Sequence, residues 1–357
     1  MKGLILSGGK GTRLRPLTHT GPKQLIPIAN KPNILYCLED LRGAGITEIG
    51  VILGDVMPEK VQELLGDGSA FGVKLTYIVQ GAPRGIAHAV GCARKFMGDS
   101  AFVVYLGDNV LKGGIMKMAA DFEREKHDCM VALTRVKDPQ RFGVAELDKN
   151  GKVVRLVEKP KEPKSDLALV GIYFFRKSIF DMIKDLKPSW RNEYEITDAI
   201  DMLVQKKYKV AAHIVTGWWK DTGKPEDILE VNHLVLEDLE PCNKGAVAKD
   251  VVLKGRVAIG EGTKVLDGTV IRGPVIIGKN CTIGPHSYIG PYTAIGDGTV
   301  VEGGELEGSI VVGECTITCG KKIVDSLIGK GCSILPARGE KPEGTRLIIG
   351  ENSVLKI

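Results

Sequence analysis

The chain has 357 residues, 43% of them hydrophobic and 26% charged, which is enough apolar mass for more than one core and excludes a disordered protein. Forty-nine basic against 44 acidic residues leave a formal net charge of +5, with no run of Lys and Arg that would mark a nucleic-acid partner. No stretch approaches the roughly 18 apolar residues of a spanning helix, and the apolar run Leu4-Ile5-Leu6 is too short for a signal-peptide core. The expectation is a cytoplasmic chain that meets no membrane. Its eight cysteines (37, 92, 129, 242, 281, 315, 319 and 332) lack Cys-x-x-Cys or paired zinc spacing and read mostly as small buried hydrophobes.

In chain order, Leu4 to Leu6, Ile49 to Leu53, Leu75 to Val79 and Phe102 to Leu106 read as buried strands. Between them lie helical segments, Ile34 to Arg42, Pro58 to Leu65 and Gly85 to Phe96. Alternation of strand and helix predicts right-handed βαβ crossovers and an α/β, Rossmann-like, mostly parallel sheet. A helix from Pro225 to Leu239 closes this half and Glu240-Pro241 breaks it, giving a first domain over residues 1–240.

Beyond Ala246 the period changes. Val247, Leu253, Ile259, Val265, Ile271, Ile277, Ile283, Ile289, Ile295 and Val301 fall six residues apart, and the phase slips at Gly303-Gly304-Glu305 before reappearing at Ile328 and Ile334. Neither a helix (3.6) nor a strand (2) has that period. A solenoid does, with three flat faces per turn and one inward aliphatic per face. The pattern resembles the hexapeptide-repeat left-handed β-helix family, and the second domain is expected over 245–357.

The first strand runs into Ser7-Gly8-Gly9-Lys10-Gly11-Thr12-Arg13-Leu14. Gly11 follows Lys10 where a Walker loop needs Ser or Thr, and Leu14 stands where a dinucleotide fingerprint needs its third glycine. A glycine-rich turn after a buried strand still offers backbone N–H groups to phosphate oxygens, and a fork-shaped Arg13 suits a polyphosphate.

Further motifs follow in order: Pro22-Lys23-Gln24-Leu25, Gln80-Gly81-Ala82-Pro83-Arg84-Gly85, Leu106-Gly107-Asp108-Asn109, Arg141-Phe142-Gly143-Val144, Val157-Glu158-Lys159-Pro160 and Trp219-Lys220-Asp221-Thr222-Gly223. Together with Gly8 to Thr18 they resemble the sugar-1-phosphate nucleotidylyltransferases, and Lys23-Gln24 resembles their glucose-1-phosphate thymidylyltransferase branch, in its long form. The resemblance implies attack of a sugar-1-phosphate oxygen on the α-phosphorus of a nucleoside triphosphate, with pyrophosphate leaving. An anionic nucleophile needs no general base, so alignment and charge neutralisation carry the rate.

By that resemblance Gly8, Gly9, Gly11 and Thr12 cradle phosphate, Arg13 neutralises pyrophosphate, and Lys23 holds the triphosphate near the α-phosphorus. Gln24 and Gln80 read the base, beside Gly85. Asp108 and Asp221 bind Mg²⁺, with Asp108 also facing the sugar phosphate. Lys159, expected in an extended segment before Pro160, clamps the sugar phosphate. Glu158 accepts from hexose hydroxyls, with Gly143, Gly171 and Tyr173 around it. Trp219 is a pocket wall or a core aromatic, and Glu195-Ile196-Thr197-Asp198, which resembles the family's Glu-Ile-Thr-Asp, reads mainly as a helix start, with a place in the sugar pocket as the alternative. His88, where the family often has Gln, reads as a packing residue.

The partners implied are dTTP and glucose 1-phosphate, the runner-up being UTP with an aminosugar phosphate and acyl transfer in the β-helix, where His286 is the single histidine. A non-catalytic regulatory subunit is the third reading. The tail is expected to assemble subunits into a homo-oligomer.

Overall fold

The computed structural model describes residues 1–336 of the 357, so 337–357 of the expected second domain lie outside the described residues. Two compact units result. One comprises Met1–Gly11, Thr20–Leu25 and Asn33–Asp221, and the other Thr12–His19, Ile26–Pro32 and the chain from Thr222.

In the first unit, continuous apolar runs give strands buried on both faces, as a parallel sheet covered by helices requires. The exception is Lys74–Val79, expected buried, which is the edge of the sheet, with Leu75 buried but Val79 73% exposed. Strands β1 (Lys2–Ser7), β2 (Glu48–Leu53), β3 (Lys74–Val79) and β4 (Phe102–Leu106) lie parallel in the order β4-β1-β2-β3. Helices α1 (Ile34–Gly43) and α2 (Pro58–Leu65) make crossovers, Pro58 taking the first helical position where its missing N–H costs nothing. The helix expected over 85–96 is two, α3 (Ile86–Cys92) and α4 (Arg94–Met97), with Gly91, a poor helix former, just before the break.

Strands β5 (Asn109–Leu111), β6 (Cys129–Arg135), β7 (Gly143–Leu147), β8 (Val153–Glu158), β9 (Leu167–Phe175), β10 (Val210–Ile214) and β11 (Trp219–Asp221) follow, with helices α5 (Met116–Glu125), α6 (Ile179–Asp185) and α7 (Ile196–Gln205). The long β9 is antiparallel to β4, β6 and β7, and so joins the parallel N-terminal strands to an antiparallel region. The main sheet runs β8-β7-β9-β4-β1-β2-β3, with β6 on β9 and β10 parallel beyond it. Successive residues feed opposite cores: Leu4, Ile52, Val104 and Phe175 on one face, Ile5, Val51, Val103 and Phe174 on the other.

The second unit is the left-handed parallel β-helix expected from the six-residue step. Among the described residues it has sheets of six, six and five strands. Its inner stack is Ile259, Val265, Ile271, Ile277, Ile283, Ile289, Ile295 and Val301, all essentially inaccessible. Leu253 is an exception at 40% exposed, because it stands near the open end of the coil. Partners are eighteen residues apart at Val265↔Ile283 but sixteen at Val301↔Ile317 and seventeen at Leu306↔Ile323. The repeat therefore continues through the apparent slip with shorter coils. Helix α8 (Pro225–Leu236) stops three residues short of the expected Leu239. It belongs to this unit, its buried Asn232 accepting from Ala29 N–H and donating to the Tyr292 carbonyl. Five cysteines are buried, Cys92 is half-buried, and Cys242 and Cys332 are exposed.

Candidate active site

Parallel strands deliver their carboxyl ends to one edge, where open α/β sheets bind ligands. Here that edge carries the Gly8 turn after β1, Gly54 after β2, Gln80 after β3 and Gly107-Asp108 after β4. The turn is close-packed, since a Cβ on Gly54 would stand 3.0 Å from Gly8 Cα. Gly9 has φ +97°, open to glycine and strained for other residues.

Lys23 sits on a single 3₁₀ turn (Lys23–Leu25) and its ammonium forms an ion pair with Asp108. Asp108 is 7% exposed, so the charges compensate each other where solvation is poor. Strand β11 pairs with β5 so that Asp221 lies opposite Asn109, the neighbour of Asp108. The two carboxylates expected to act together thus come from segments over a hundred residues apart onto adjoining positions. Trp219 is half-buried, donates from Nε1 to Asn109 Oδ1 at 3.0 Å and stands edge-on to Phe142. Gly171, at φ +76°, lies within a register shift of β9. A Cβ there would fall 2.5 Å from Asn109 Nδ2.

Gln24 is almost wholly buried. Its Nε2 donates to the Gly8 carbonyl at 3.1 Å, while its Oε1 has no hydrogen-bond partner among the described residues. It thereby holds the loop. Gln80 is half-buried, with Nε2 near both the Gly85 carbonyl (3.3 Å) and His88 Nδ1 (3.2 Å). Gly85 has φ +103°, and a Cβ would meet the Tyr194 carbonyl at 2.5 Å.

A second group gathers where β8 ends. Glu158 accepts from the Thr197 hydroxyl at 2.6 Å and has Arg191 at 3.6 Å and Lys159 at 3.8 Å. Gly143 must be small, because a Cβ would lie 2.9 Å from Glu158 Oε2 and 2.8 Å from Thr197 Oγ1. Lys159 is not extended as expected. Its φ is +41°, and its N–H donates to the Phe142 carbonyl at 3.0 Å, so the strand turns sharply there. Such strain, about 1–3 kcal/mol, persists where the surroundings over-determine it, often at ligand clamps. Tyr173 lies in the core, stacked on Phe175, where burial first and then Glu158 push its phenol upward. Glu195, bonded to Ser189 and Arg191, and Asp198 are both held above the usual carboxylate range, chiefly by burial.

Gly11 closes the loop in the first unit at φ +58°, whereas Thr12 and exposed Arg13 stand on a 3₁₀ turn of the second. Arg191 and Asn109 carry no assigned role in the sequence reading; Arg191 lies in an irregular segment four residues before the Glu195-Ile196-Thr197-Asp198 motif. Among the described residues no three His, Cys, Asp or Glu groups are set so as to hold a metal ion, and no helix is long and apolar enough to cross a membrane.

Residues 2–238 match the nucleotidyl transferase family model, and residues 256–291 match that of the bacterial transferase hexapeptide, six repeats. The chain belongs to the nucleotidyl transferase family. The transferase is 54% identical over 357 residues to the low-salt glycan biosynthesis nucleotidyltransferase Agl11 of Haloferax volcanii, covering all of both chains. It is 47% identical to the glucose-1-phosphate thymidylyltransferase of Streptomyces antibioticus, covering 100% of this chain and 99% of the other. A Bacillus anthracis structure bearing the glucose-1-phosphate thymidylyltransferase name, solved with sucrose, superposes with TM-score 0.63 at 39% identity, over 68% of this transferase and 98% of that chain.

Proposed function

We propose that the protein condenses dTTP with glucose 1-phosphate to dTDP-glucose and pyrophosphate. The observation that carries this is the strand-end cluster of the Gly8 turn, Lys23, Asp108 and Gln80 in a chain 47% identical over its full length to a named glucose-1-phosphate thymidylyltransferase. A sugar-phosphate oxygen forms a bond to the α-phosphorus as the bond to pyrophosphate breaks, in line, with no proton to remove. The protein's work is alignment and neutralisation of charge.

The Gly8–Gly11 turn binds phosphate through backbone N–H groups. Lys23 neutralises the α-phosphate region, and Arg13 is assigned the departing pyrophosphate on its motif alone. Gln80 reads the base, with Gln24 holding the loop behind it. Lys159, joined by Arg191, clamps the sugar phosphate, while Glu158, fixed by Thr197, accepts from hexose hydroxyls. Asp108 and Asp221 suit Mg²⁺, a hard ion that takes one or two carboxylates and completes its shell with phosphate oxygens and water. The ion pair of Asp108 with the Lys23 ammonium, a cation at this carboxylate, supports that reading. When bound, Mg²⁺ supplies further neutralisation of the phosphates. The β-helix is assigned to assembly of a homo-oligomer.

The test is pyrophosphate release from dTTP, UTP, CTP, ATP and GTP crossed with several sugar 1-phosphates in Mg²⁺. A maximum at dTTP with glucose 1-phosphate is expected. Release from no pair would overturn the reading.

A further inference from the structure

Gln80 is the half-buried carboxamide at the carboxyl end of β3, and its surroundings fix which way it points. The Gly85 carbonyl can only accept a hydrogen bond, so the group 3.3 Å from it is the NH₂ end of the side chain. His88 Nδ1 lies 3.2 Å from that same nitrogen. Nδ1 must therefore carry the lone pair, which places the ring proton on Nε2. Both amide hydrogens are then engaged, and Oε1 faces the phosphate turn, 3.1 Å from where a Gly8 Cβ would be.

The imidazole is itself held. Its ring stacks on Tyr194 at 6.4 Å, and the Tyr194 backbone is tied on both sides, N–H to the Arg84 carbonyl at 2.8 Å and carbonyl to Ala87 N–H at 3.1 Å. Burial first, and then the neighbouring Arg84 charge, hold His88 below the usual histidine pKa, which keeps its lone pair available.

We propose that His88 is a positioning residue that locks the Gln80 carboxamide with its oxygen turned to the Gly8 side and so makes the nucleotide site selective for a base presenting an N–H donor there. The proposal rests on the base-reading role given to Gln80. An acceptor on that side, set opposite N3 of a pyrimidine, takes the N3–H of thymine or uracil. Opposite cytosine it meets a lone pair. Without an acceptor at position 88 the carboxamide is free to rotate, and the discrimination weakens.

The experiment compares wild type, His88→Phe, His88→Gln and Gln80→Ala in the full chain, measuring kcat and KM with dTTP and dCTP at saturating glucose 1-phosphate. Losing one neutral hydrogen bond corresponds to roughly a tenfold change. His88→Phe is expected to raise KM for dTTP by about that factor and narrow the dTTP-to-dCTP ratio of kcat/KM, the loss falling on KM more than on kcat. His88→Gln, which restores an acceptor, is expected to recover most of the ratio. Independently of any variant, ¹⁵N-histidine spectra of the wild-type protein should show His88 with its proton on Nε2. A proton on Nδ1 would overturn the proposal. An unchanged ratio in His88→Phe, with the ratio lost in Gln80→Ala, would overturn it while leaving Gln80 as the base reader. An unchanged ratio in both would remove the base-reading role as well.

Discussion

Gly171 and Gly151 make a controlled pair. Both lie in the first unit with almost the same positive φ, +76° and +77°, so an alanine at either carries strain of about 1–2 kcal/mol from that dihedral. They differ in space. A Cβ on Gly151 would meet nothing within 4 Å, whereas one on Gly171 would stand 2.5 Å from Asn109 Nδ2 and 2.7 Å from Leu106 Cδ1. Overpacking of this kind adds about 1–3 kcal/mol, so Gly171→Ala should cost about 2–5 kcal/mol against 1–2 for Gly151→Ala. At about 2–4 °C per kcal/mol for a unit of this size, the two melting temperatures should differ by several degrees. Activity should separate them further, because Asn109 anchors Trp219 through its Oδ1 and adjoins Asp108. Gly151→Ala should keep its rate of pyrophosphate release, and Gly171→Ala should lose most of it. Thermal melts and steady-state rates on both variants decide the matter. Equal melting shifts and equal rates would refute the claim that Gly171 must lack a side chain to make room for Asn109.

Asp108→Asn removes the carboxylate paired with Lys23 and should lower turnover by at least about a hundredfold; it should also lower the melting temperature, because it removes the charge that compensates Lys23 where solvation is poor. A chelator should abolish pyrophosphate release and added Mg²⁺ should restore it; turnover persisting in chelator would remove the metal from the reaction. Asp198 has its carboxyl held up, first by burial and then by Glu158 and Asp201. Its favourable contribution is present at low pH and lost as pH rises through the raised value, so Asp198→Asn should raise the melting temperature more at pH 7.5 than at pH 4 in scanning calorimetry. In the β-helix, Ile283→Ala should cost about 2–5 kcal/mol as a buried cavity, and Leu253→Ala at the exposed end less than about 1, read by denaturant melts.

The fold was legible wherever a period ran long enough to be counted. Ten aliphatic positions at strict sixes specify the β-helix, because one residue per face must fill a shared interior. The count fails after Val301, where the next inward residues, Leu306 and Val311, come five residues on. Strand pairing does not need equal coil lengths, so the solenoid continues where the sequence period breaks. The four parallel strands were nearly as plain, since each carries a short apolar run, although Thr76 interrupts the one in β3, the edge strand. The antiparallel strands around β9 were not, because β7 and β8 are mixed in composition and their pairing is set by partners far along the chain.

The site divides along the same line. Residues embedded in motifs, such as Lys23, Asp108 and Glu158, can be found without coordinates; residues whose use comes only from what the fold places beside them cannot. Arg191 sits among Ser, Asn and Glu in an irregular segment, and nothing local distinguishes it from a solvated arginine. Its meaning arises because α7 begins at Ile196 and brings Thr197 onto Glu158, so that the preceding turn sets the guanidinium 3.6 Å from the same carboxylate. Lys159 is the converse case. The proline after it argues for extended backbone, yet the adopted φ is +41°, since the N–H of Lys159 is drawn to the Phe142 carbonyl across the β7–β8 hairpin. The local preference is overridden by a cross-strand bond, and the result aims a cation beside Glu158 instead of along the strand.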